Sequence, residues 1–408
     1  MGVDVNDHLS TSAVTVGAGS AIDAGTGFSV PAKHPNPIIA AGGIPDSGNL
    51  PSEAIREAFS NVLNDTPGDS LKYGGVKGFE DLRDLVAQRQ NRLEGLNLDA
   101  DNIIIHNGGS GCLDNISKAF LDPGDVVIIE APTYSGTTRC LKGHLADLVE
   151  VDIDEDGLII EQIRQAIETA EAAGKRVKMV YCTPDFQNPT AATLPEIRRR
   201  QLIELCGKHK VLIVEDCTYS ELYYYDNPPP PSMFALSGGE GVLKLGTFSK
   251  VIATGLRAGW VQGRKDYIEA MGRVRFDMGT SPILNHMLAN FIGSGQLEPH
   301  IEKMKQIYGK KIDTLVNSLN ENCAPYVKFS KPGGGFFFWF ECIGVDSQSL
   351  VDAAAEEGLV ISTSANYYLD KENSSDKSHV RLAFSNASLD DLNEIGVRLG
   401  NAFNKLMA

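Results

Sequence analysis

Four groups of polar residues follow apolar, strand-like segments, and they are the residues of this chain best suited to chemistry. They are the turn 107–115 (NGGSGCLDN), Asn188, the pair Asp216 and Tyr219, and the pair Ser249 and Lys250. Taken singly, each has an ordinary structural explanation, such as a tight turn, a helix N-cap or a surface lysine. Their occurrence at successive strand ends instead indicates a functional site, because a lysine beside an apolar segment is costly to desolvate unless its charge is used.

The chemistry that needs this combination is that of pyridoxal phosphate. A lysine amine forms a Schiff base with the cofactor's aldehyde, and desolvation with neighbouring cations lowers its pKa enough for it to act as nucleophile and base. A carboxylate facing the pyridine nitrogen keeps that nitrogen protonated, so that the ring accepts electrons. Hydroxyls, backbone N–H groups and an arginine hold the phosphate. The candidates are Lys250, Asp216 and Arg257, with the turn 107–115.

The elements that must position these residues are short apolar segments separated by helical ones. The strand-like segments are 102–106, 126–130, 178–182, 211–215 and 242–248. Strands that are apolar on both faces and joined by helices, such as 194–209, are typical of a largely parallel sheet covered on both sides. Ligands of such sheets bind beyond the carboxyl ends of the strands. The sequence therefore predicts an α/β fold with its site at that edge.

The pattern changes along the chain and predicts three parts. Residues 1–40 lack periodicity and are expected to form an arm, which lies over the surface or on a partner subunit. Residues 41–290 carry the alternating segments and are predicted to form a large cofactor-binding domain. A polar helical segment at 297–321 then opens a predicted smaller α+β domain, residues 291–408.

Charge and hydropathy exclude several classes of partner. The chain of 408 residues has a formal net charge of -16, which argues against nucleic acid or an anionic membrane as the main partner. No apolar segment approaches the roughly 20 residues that cross a bilayer, and no signal-peptide pattern opens the chain. The turn 107–112 does not follow the G-x-G-x-x-G pattern, which argues against a dinucleotide oxidoreductase.

The cysteines and histidines predict neither disulfides nor a metal centre. The chain has seven cysteines, an odd number, with no C-x-x-C pair, and its histidines show no metal-ligand spacing. We therefore expect a reducing compartment, the cytoplasm, and no bound metal.

Several motifs in order make this sequence resemble the class I/II aminotransferases of pyridoxal-phosphate fold type I. The resemblance is to the branch that contains kynurenine and 2-aminoadipate aminotransferases, and it runs from about Gly42 to the C-terminus. The motifs are 42–46 (GGIPD), 73–83 (YGGVKGFEDLR), 121–136 (LDPGDVVIIEAPTYSG), 188–190 (NPT), 215–219 (EDCTY), 249–260 (SKVIATGLRAGW) and 381–385 (RLAFS). It implies a large domain with a mostly parallel sheet between helices and a smaller α+β domain.

The resemblance implies a role for individual residues toward the cofactor. Lys250 matches the Schiff-base lysine that also moves a proton, and Asp216 matches the partner of the pyridinium nitrogen. Asn188 and Tyr219 match the hydrogen-bond donors to the phenolic oxygen, and Tyr134 matches the residue stacked on the ring. The implied phosphate ligands are Ser110, Gly111, Thr247, Ser249 and Arg257.

The resemblance also implies how substrate is bound and how subunits assemble. Arg381 matches the residue that binds the substrate α-carboxylate, a role for which a planar bidentate guanidinium is suited. Asn188 is also implied to bind substrate. Gly43 matches a segment that lies over the substrate. Tyr73 matches a tyrosine that reaches the phosphate from the other subunit, which implies a homodimer with shared active sites.

The implied function is a ping-pong transfer of an amino group from an aromatic or 2-aminoadipate-like amino acid to a 2-oxo acid. The chain departs from the family pattern at 110–112, at Ala191 and at Thr218, where proline is common. These departures leave open a biosynthetic pyridoxal-phosphate enzyme that catalyses elimination, replacement or carbon–carbon bond formation. A non-catalytic ligand sensor is a further alternative, disfavoured because both Lys250 and Arg381 are present and no basic helix-turn-helix segment precedes Gly42.

Overall fold

The computed structural model describes residues 4–17, 34–371, 374 and 376–408. The arm predicted at residues 1–40 therefore lies partly outside the described residues, namely at 1–3 and 18–33. The strands are β1 Ile38–Ile39, β2 Ile103–His106, β3 Val126–Ala131, β4 Asp147–Asp154, β5 Gly157–Leu158, β6 Val177–Cys182, β7 Leu212–Asp216, β8 Val242–Thr247, β9 Gly259–Gln262, β10 Val327–Phe329, β11 Phe337–Cys342, β12 Leu359–Val360, β13 Ser362–Thr363 and β14 His379–Ala383.

Helices connect these strands and cover the larger sheet. They are α1 Thr11–Val16, α2 Ser52–Asp65, α3 Pro67–Ser70, α4 Glu80–Glu94, α5 Gly108–Phe120, α6 Ser135–Gly143, α7 Ile160–Ala172, α8 Glu196–His209, α9 Met233–Ser237, α10 Lys265–Arg273, α11 Pro282–Gly293, α12 Leu297–Cys323, α13 Ser347–Glu356 and α14 Leu389–Met407. Short 3-10 helices lie at Val5–His8, Ser47–Asn49, Ala100–Asn102, Thr254–Leu256 and Ser364–Tyr367.

An eight-stranded sheet forms the centre of the fold, in the order β2-β9-β8-β7-β6-β3-β4-β5. The five strands β8, β7, β6, β3 and β4 are parallel, whereas β9 runs antiparallel to both of its neighbours. Every residue of β3 and β8 is buried, so these strands are mostly apolar on both faces instead of alternating, with Glu130 and Lys244 as the charged exceptions. Parallel strands end at one edge, so residues that follow β6, β7 and β8 meet there.

A second, antiparallel sheet of four strands lies toward the C-terminus, in the order β10-β11-β14-β13. A separate parallel pair joins β1 to β12, so that Ile38 and Ile39, assigned to the arm by their sequence, add a strand to the C-terminal part. The largest apolar cluster contains residues from both parts, including Trp260 and Phe338. The proposed boundaries at 40 and 290 stay predictions.

The predicted fold class is confirmed. The five predicted central strands appear within one or two residues of their expected ends, and the predicted helices appear at Glu196–His209 and Leu297–Cys323. The part of the arm at Thr11–Val16 is helical and packs on α6, where the Ser12 hydroxyl donates a hydrogen bond to the Gly143 carbonyl. Among the helices of the described ranges, none combines the length and apolar character needed to cross a membrane.

A buried ion pair fixes the loop between β6 and α8. The Arg199 side chain on α8 is fully buried and bonds to Asp185, whose other oxygen accepts from the Ser220 hydroxyl. The guanidinium also donates to the carbonyls of Leu194 (2.8 Å) and Pro184 (3.3 Å), at the two ends of the loop. This one cation therefore holds closed the loop that carries Asn188.

We expect an Arg199→Met substitution to destabilise the protein strongly. It leaves the buried Asp185 carboxylate without its cation, a change that costs on the order of 3–5 kcal/mol in other proteins. The matched control is Arg200→Met on the same helix, because Arg200 makes only an exposed pair with Glu196, worth about 0–1 kcal/mol. Thermal unfolding midpoints at equal protein concentration test this, and equal midpoints for the two variants would contradict it.

Candidate active site

The amine of Lys250 lies at the carboxyl edge of the large sheet, in the turn that follows β8. Its Nζ donates a hydrogen bond to the Gly43 carbonyl at 2.7 Å and lies 6.0 Å from the centroid of the Tyr219 ring. The Tyr219 side chain is buried and packs edge-on against Phe336 and Phe337. The structure thus brings together the residues that follow β7 and β8 with the segment that precedes α2.

The surroundings of Lys250 favour a neutral amine. Burial and the nearby guanidinium groups of Arg381 and Arg257 lower the pKa of Lys250 to about 8, whereas the Asp216 carboxylate opposes that shift. An amine whose pKa lies near neutrality is available as a nucleophile and as a proton acceptor. The candidate lysine therefore has the electrostatic property that its predicted role requires.

Asp216 is the last residue of β7, and two hydroxyl groups hold its carboxylate. Tyr181 on β6 donates to Oδ2 at 2.7 Å, and Thr218 donates to Oδ1 through both its hydroxyl and its backbone N–H. Burial raises the pKa of Asp216, and these hydrogen bonds oppose that rise because they stabilise the charged form. Burial has the larger effect, so the net direction of the Asp216 pKa is upward, and the hydrogen bonds fix the orientation of the carboxylate oxygens.

Sequence reasoning did not assign a role to Tyr181 or Thr218. Thr218 was visible only as a departure from the family's proline, which has no side-chain hydroxyl and no N–H to donate. Tyr181 lies one residue before the end of β6, the strand beside β7. The available signal in the sequence was a residue with a hydroxyl group near the carboxyl end of that neighbouring strand, where a partner for Asp216 could lie.

The first turn of α5 forms an anion-binding corner with Arg257. Gly108 has a φ of +73° there, and a Cβ on it would lie 3.1 Å from Arg257 Nη2. Arg257 donates to the Asn107 carbonyl at 3.2 Å, so its guanidinium is held against this turn, which includes the exposed Ser110 and then Gly111. Unpaired N–H groups at a helix start beside a guanidinium suit a phosphate.

Two buried hydroxyl groups near the end of β8, those of Thr247 and Ser249, belong to predicted phosphate ligands. Thr247 donates to the Ala258 carbonyl at 3.0 Å, and its Oγ1 lies 3.0 Å from the Ser249 Oγ. The Ser249 N–H in turn donates to the Thr247 hydroxyl at 3.1 Å. The two side chains are therefore fixed relative to each other just before Lys250.

Arg381 on β14 connects three parts of the chain. Its guanidinium donates to the Asn188 side-chain oxygen at 2.9 Å and to the Ala41 carbonyl, and it lies over the rings of Phe337 (4.3 Å) and Tyr367 (4.8 Å). Within the described chain, Arg381 Nε has no hydrogen-bond partner although it is buried. A buried guanidinium with a free N–H is suited to bind a carboxylate. Sequence reasoning found Arg381 but missed both aromatic rings.

Gly43 and Tyr134 line the same region. A Cβ on Gly43 would lie 2.3 Å from Phe337 Cζ, so this position has no room for a larger residue unless the ring moves. Tyr134 precedes α6 and is 39% exposed, with its ring above Gly136, where an added Cβ would lie 2.3 Å from the ring. The Tyr134 side chain is therefore only partly covered by the rest of the chain.

Tyr73 lies apart from this group. Its side chain is 86% exposed and lines a separate cleft of about 480 Å³ between residues 71–74 and 277–282. The single chain therefore brings together the other predicted residues but leaves Tyr73 on a different surface.

Pyridoxal phosphate fits the donor set at this edge of the sheet. The site contains a cationic, N–H-rich corner suited to a phosphate dianion and an oriented carboxyl group suited to face a ring nitrogen. It also contains an amine whose pKa is lowered to about 8, so that the neutral form that reacts with an aldehyde is more accessible than in a free lysine. The buried, partly unsatisfied guanidinium of Arg381 adds a position for a substrate carboxylate.

Comparison with known proteins identifies aminotransferases as relatives of this chain. Residues 40–399 match the model of the family "Aminotransferase class I and II". The chain is 32% identical to aromatic-amino-acid aminotransferase 1 of Thermococcus litoralis, over 79% of this chain and 78% of that protein.

Two solved structures are similar over almost the whole chain. The kynurenine aminotransferase of Pyrococcus horikoshii, in complex with PMP, aligns with a TM-score of 0.90 and 30% identity over 99% of each chain. The alpha-aminoadipate aminotransferase LysN of Thermus thermophilus, complexed with N-(5'-phosphopyridoxyl)-L-leucine, aligns with a TM-score of 0.87 and 25% identity, also over 99% of each chain.

These findings confirm the resemblance and favour transamination over the biosynthetic alternative, because these relatives are all aminotransferases. Class I and II aminotransferases use pyridoxal phosphate, in agreement with the predicted cofactor. The chain belongs to the class I and II aminotransferase family.

Proposed function

We propose that this aminotransferase transfers the amino group of an aromatic or 2-aminoadipate-like amino acid to a 2-oxo acid, with Lys250 as its catalytic lysine. The observation that carries the proposal is the Lys250 amine, held at the sheet edge with a pKa lowered to about 8 beside Asp216 and Arg381. Relatives that act on such substrates by their names support the choice of substrate class.

Bound pyridoxal phosphate supplies an aldehyde for the lysine and a ring that accepts electrons when a bond to the substrate α-carbon breaks. Lys250 would supply the amine that bonds to this aldehyde, and its Nζ would carry the proton removed from the substrate α-carbon. Asp216, oriented by Tyr181 and Thr218, would face the ring nitrogen and keep it protonated. Asn188 and Tyr219 would donate hydrogen bonds to the phenolic oxygen.

The remaining predicted residues bind rather than react. Ser110, Gly111, Thr247, Ser249 and Arg257 would hold the phosphate, and Tyr134 would stack on the ring. Arg381, with Asn188 beside it, binds the α-carboxylate and so fixes the α-carbon near Lys250.

Aromatic walls support the proposed substrate class. Phe337 and Tyr367 lie against the Arg381 guanidinium, and Tyr134 is partly exposed in the same region. Apolar rings beside the carboxylate-binding group stabilise an aromatic or long aliphatic side chain by removing its surface from water.

The active site is proposed to be shared between two subunits. Tyr73 belongs to an exposed apolar patch with Leu71 (66% exposed) and Met278 (49%), around the cleft described above. Large exposed apolar groups in one patch are typical of an interface between chains. A second copy that covers this patch would bring its Tyr73 toward the phosphate ligands.

The cytoplasm is the proposed location. All seven cysteines are free thiols, and six of them are buried, as expected for a protein that matures under reducing conditions.

A Lys250→Ala variant is expected to fold but to lose roughly 10²–10⁴-fold or more in turnover, because the nucleophile and proton carrier is removed. Borohydride treatment of the wild-type holoenzyme should fix the cofactor to the peptide that contains Lys250, as seen by mass spectrometry. Lys265→Ala, which removes an exposed ion pair with Asp99, serves as the control with unchanged turnover. A fixed cofactor on another lysine would refute the assignment.

The rate at which cofactor-free protein captures pyridoxal phosphate should rise with pH through about 8, because only the neutral Lys250 amine reacts. Arg381→Gln removes a cation that lowers the pKa of Lys250, so the pKa rises and the midpoint moves to higher pH. Stopped-flow absorbance measures the midpoint, and the exposed Arg264→Gln is the control. A midpoint that stays or falls in Arg381→Gln would contradict the electrostatic account.

Mixed dimers test whether the sites are shared. Tyr73→Ala and Lys250→Ala proteins are each expected to be nearly inactive, but in a mixed dimer one site carries both defects and the other carries neither. Random exchange of subunits at equal amounts should therefore restore about a quarter of the wild-type activity. If Tyr73 acts within its own subunit, no activity returns, and the proposal of shared sites is wrong.

A further inference from the structure

A group of three side chains with metal-binding atoms lies outside the proposed active site. Asp114 on α5 approaches Cys140 and His144, which are the fourth-last residue of α6 and the residue that caps it. The Asp114 oxygen, Cys140 sulfur and His144 ring nitrogen all lie within 4.8 Å of one another. The sequence showed no zinc pattern because Asp114 comes from a different helix, 26 residues before Cys140.

Helix geometry explains why two of these groups face the third. Cys140 and His144 are four residues apart and therefore lie on the same face of α6. Helix α6 packs on α5, and His144 Nε2 is 2.9 Å from Asp114 Oδ1. The three donors are thus presented by packed helices rather than by a loop.

We propose that Asp114, Cys140 and His144 bind a single zinc-like divalent cation, with solvent completing the coordination. Thiolate and imidazole ligands select zinc or cobalt over magnesium and calcium, which prefer oxygen ligands. Two ligands of one tetrahedral zinc lie about 3.3–3.7 Å apart, so side-chain rotations that move the atoms by about 1 Å complete the site.

Charge and access are consistent with such a site. A carboxylate and a thiolate together carry the charge that a divalent cation neutralises, and zinc binding releases the thiol proton. Asp114 is exposed and Cys140 and His144 are half-buried, so a cation reaches them from solvent. The Ser117 side chain faces the thiol, and Lys118 lies near the Asp114 carboxylate.

The position of this site links it to the cofactor region. Helix α5 begins at the anion-binding turn and α6 begins directly after Tyr134. A cation held between the two helices therefore cross-links two elements that begin at or beside predicted cofactor ligands.

Cobalt and zinc titrations of the metal-free holoenzyme test the proposal. Cobalt(II) should give visible absorption bands of a tetrahedral site, saturating at one ion per chain and displaced by zinc. Cys140→Ser, His144→Gln and Asp114→Asn should each weaken zinc binding by at least about tenfold, measured by calorimetry. The matched control is His209→Gln, because His209 forms a similar surface pair with Glu171 at 2.9 Å but has no thiol beside it. The zinc affinity of the His209→Gln protein should equal that of the wild type.

Alkylation of the wild-type protein gives an independent measurement if a variant folds poorly. Cys140 is the one cysteine that is not buried, so iodoacetamide should modify it first, and zinc but not magnesium should slow that modification at least about tenfold. Absence of zinc binding, binding that survives Cys140→Ser and His144→Gln, or no protection of Cys140 would each overturn the proposal.

Discussion

The site depends on keeping one amine among cations in surroundings that solvate it poorly. Lys250 is close enough to Arg381 and Arg257 for both guanidinium groups to lower its pKa, and only Asp216 offsets them. Such a cluster is unfavourable in an empty site, since two fixed positive groups repel a third. It becomes favourable when anions enter, and both a phosphate and a substrate carboxylate are anions. In the proposed mechanism, the guanidinium groups that lower the pKa of Lys250 would also attract the two anions with which it works.

The fold provides this cluster through the geometry of parallel strands. The ends of β6, β7 and β8 meet at one edge, so residues separated by tens of positions in sequence become neighbours. Asn188 lies in the loop that Arg199 holds closed. Asp216 is positioned by the end of β7 and by a hydrogen bond from Tyr181 on the neighbouring strand β6. Rigid elements and a second layer of hydrogen bonds thus orient the reactive groups.

The sequence predicted the central strands well because β3 and β8 are buried on both faces and are mostly apolar, apart from Glu130 and Lys244. It did not reveal β9, which is four residues long and antiparallel, or the pairing of Ile38 and Ile39 with β12, because register between distant segments has no local signal. The motifs identified Lys250 and Arg381 by residue type. They did not identify Tyr181 or Thr218, whose importance arises only from contact with Asp216 across the strands.

Arg381 has a structural consequence beyond its charge. Arg381 lies on β14 of the C-terminal sheet. Its guanidinium donates hydrogen bonds to the Ala41 carbonyl and to the Asn188 side chain, and it lies over the rings of Phe337 and Tyr367. A carboxylate that binds it must share or replace those oxygen partners. In the proposed role of Arg381, a bound carboxylate would therefore alter the contacts of three chain segments at once, and substrate binding would be coupled to the packing of the two sheets against each other.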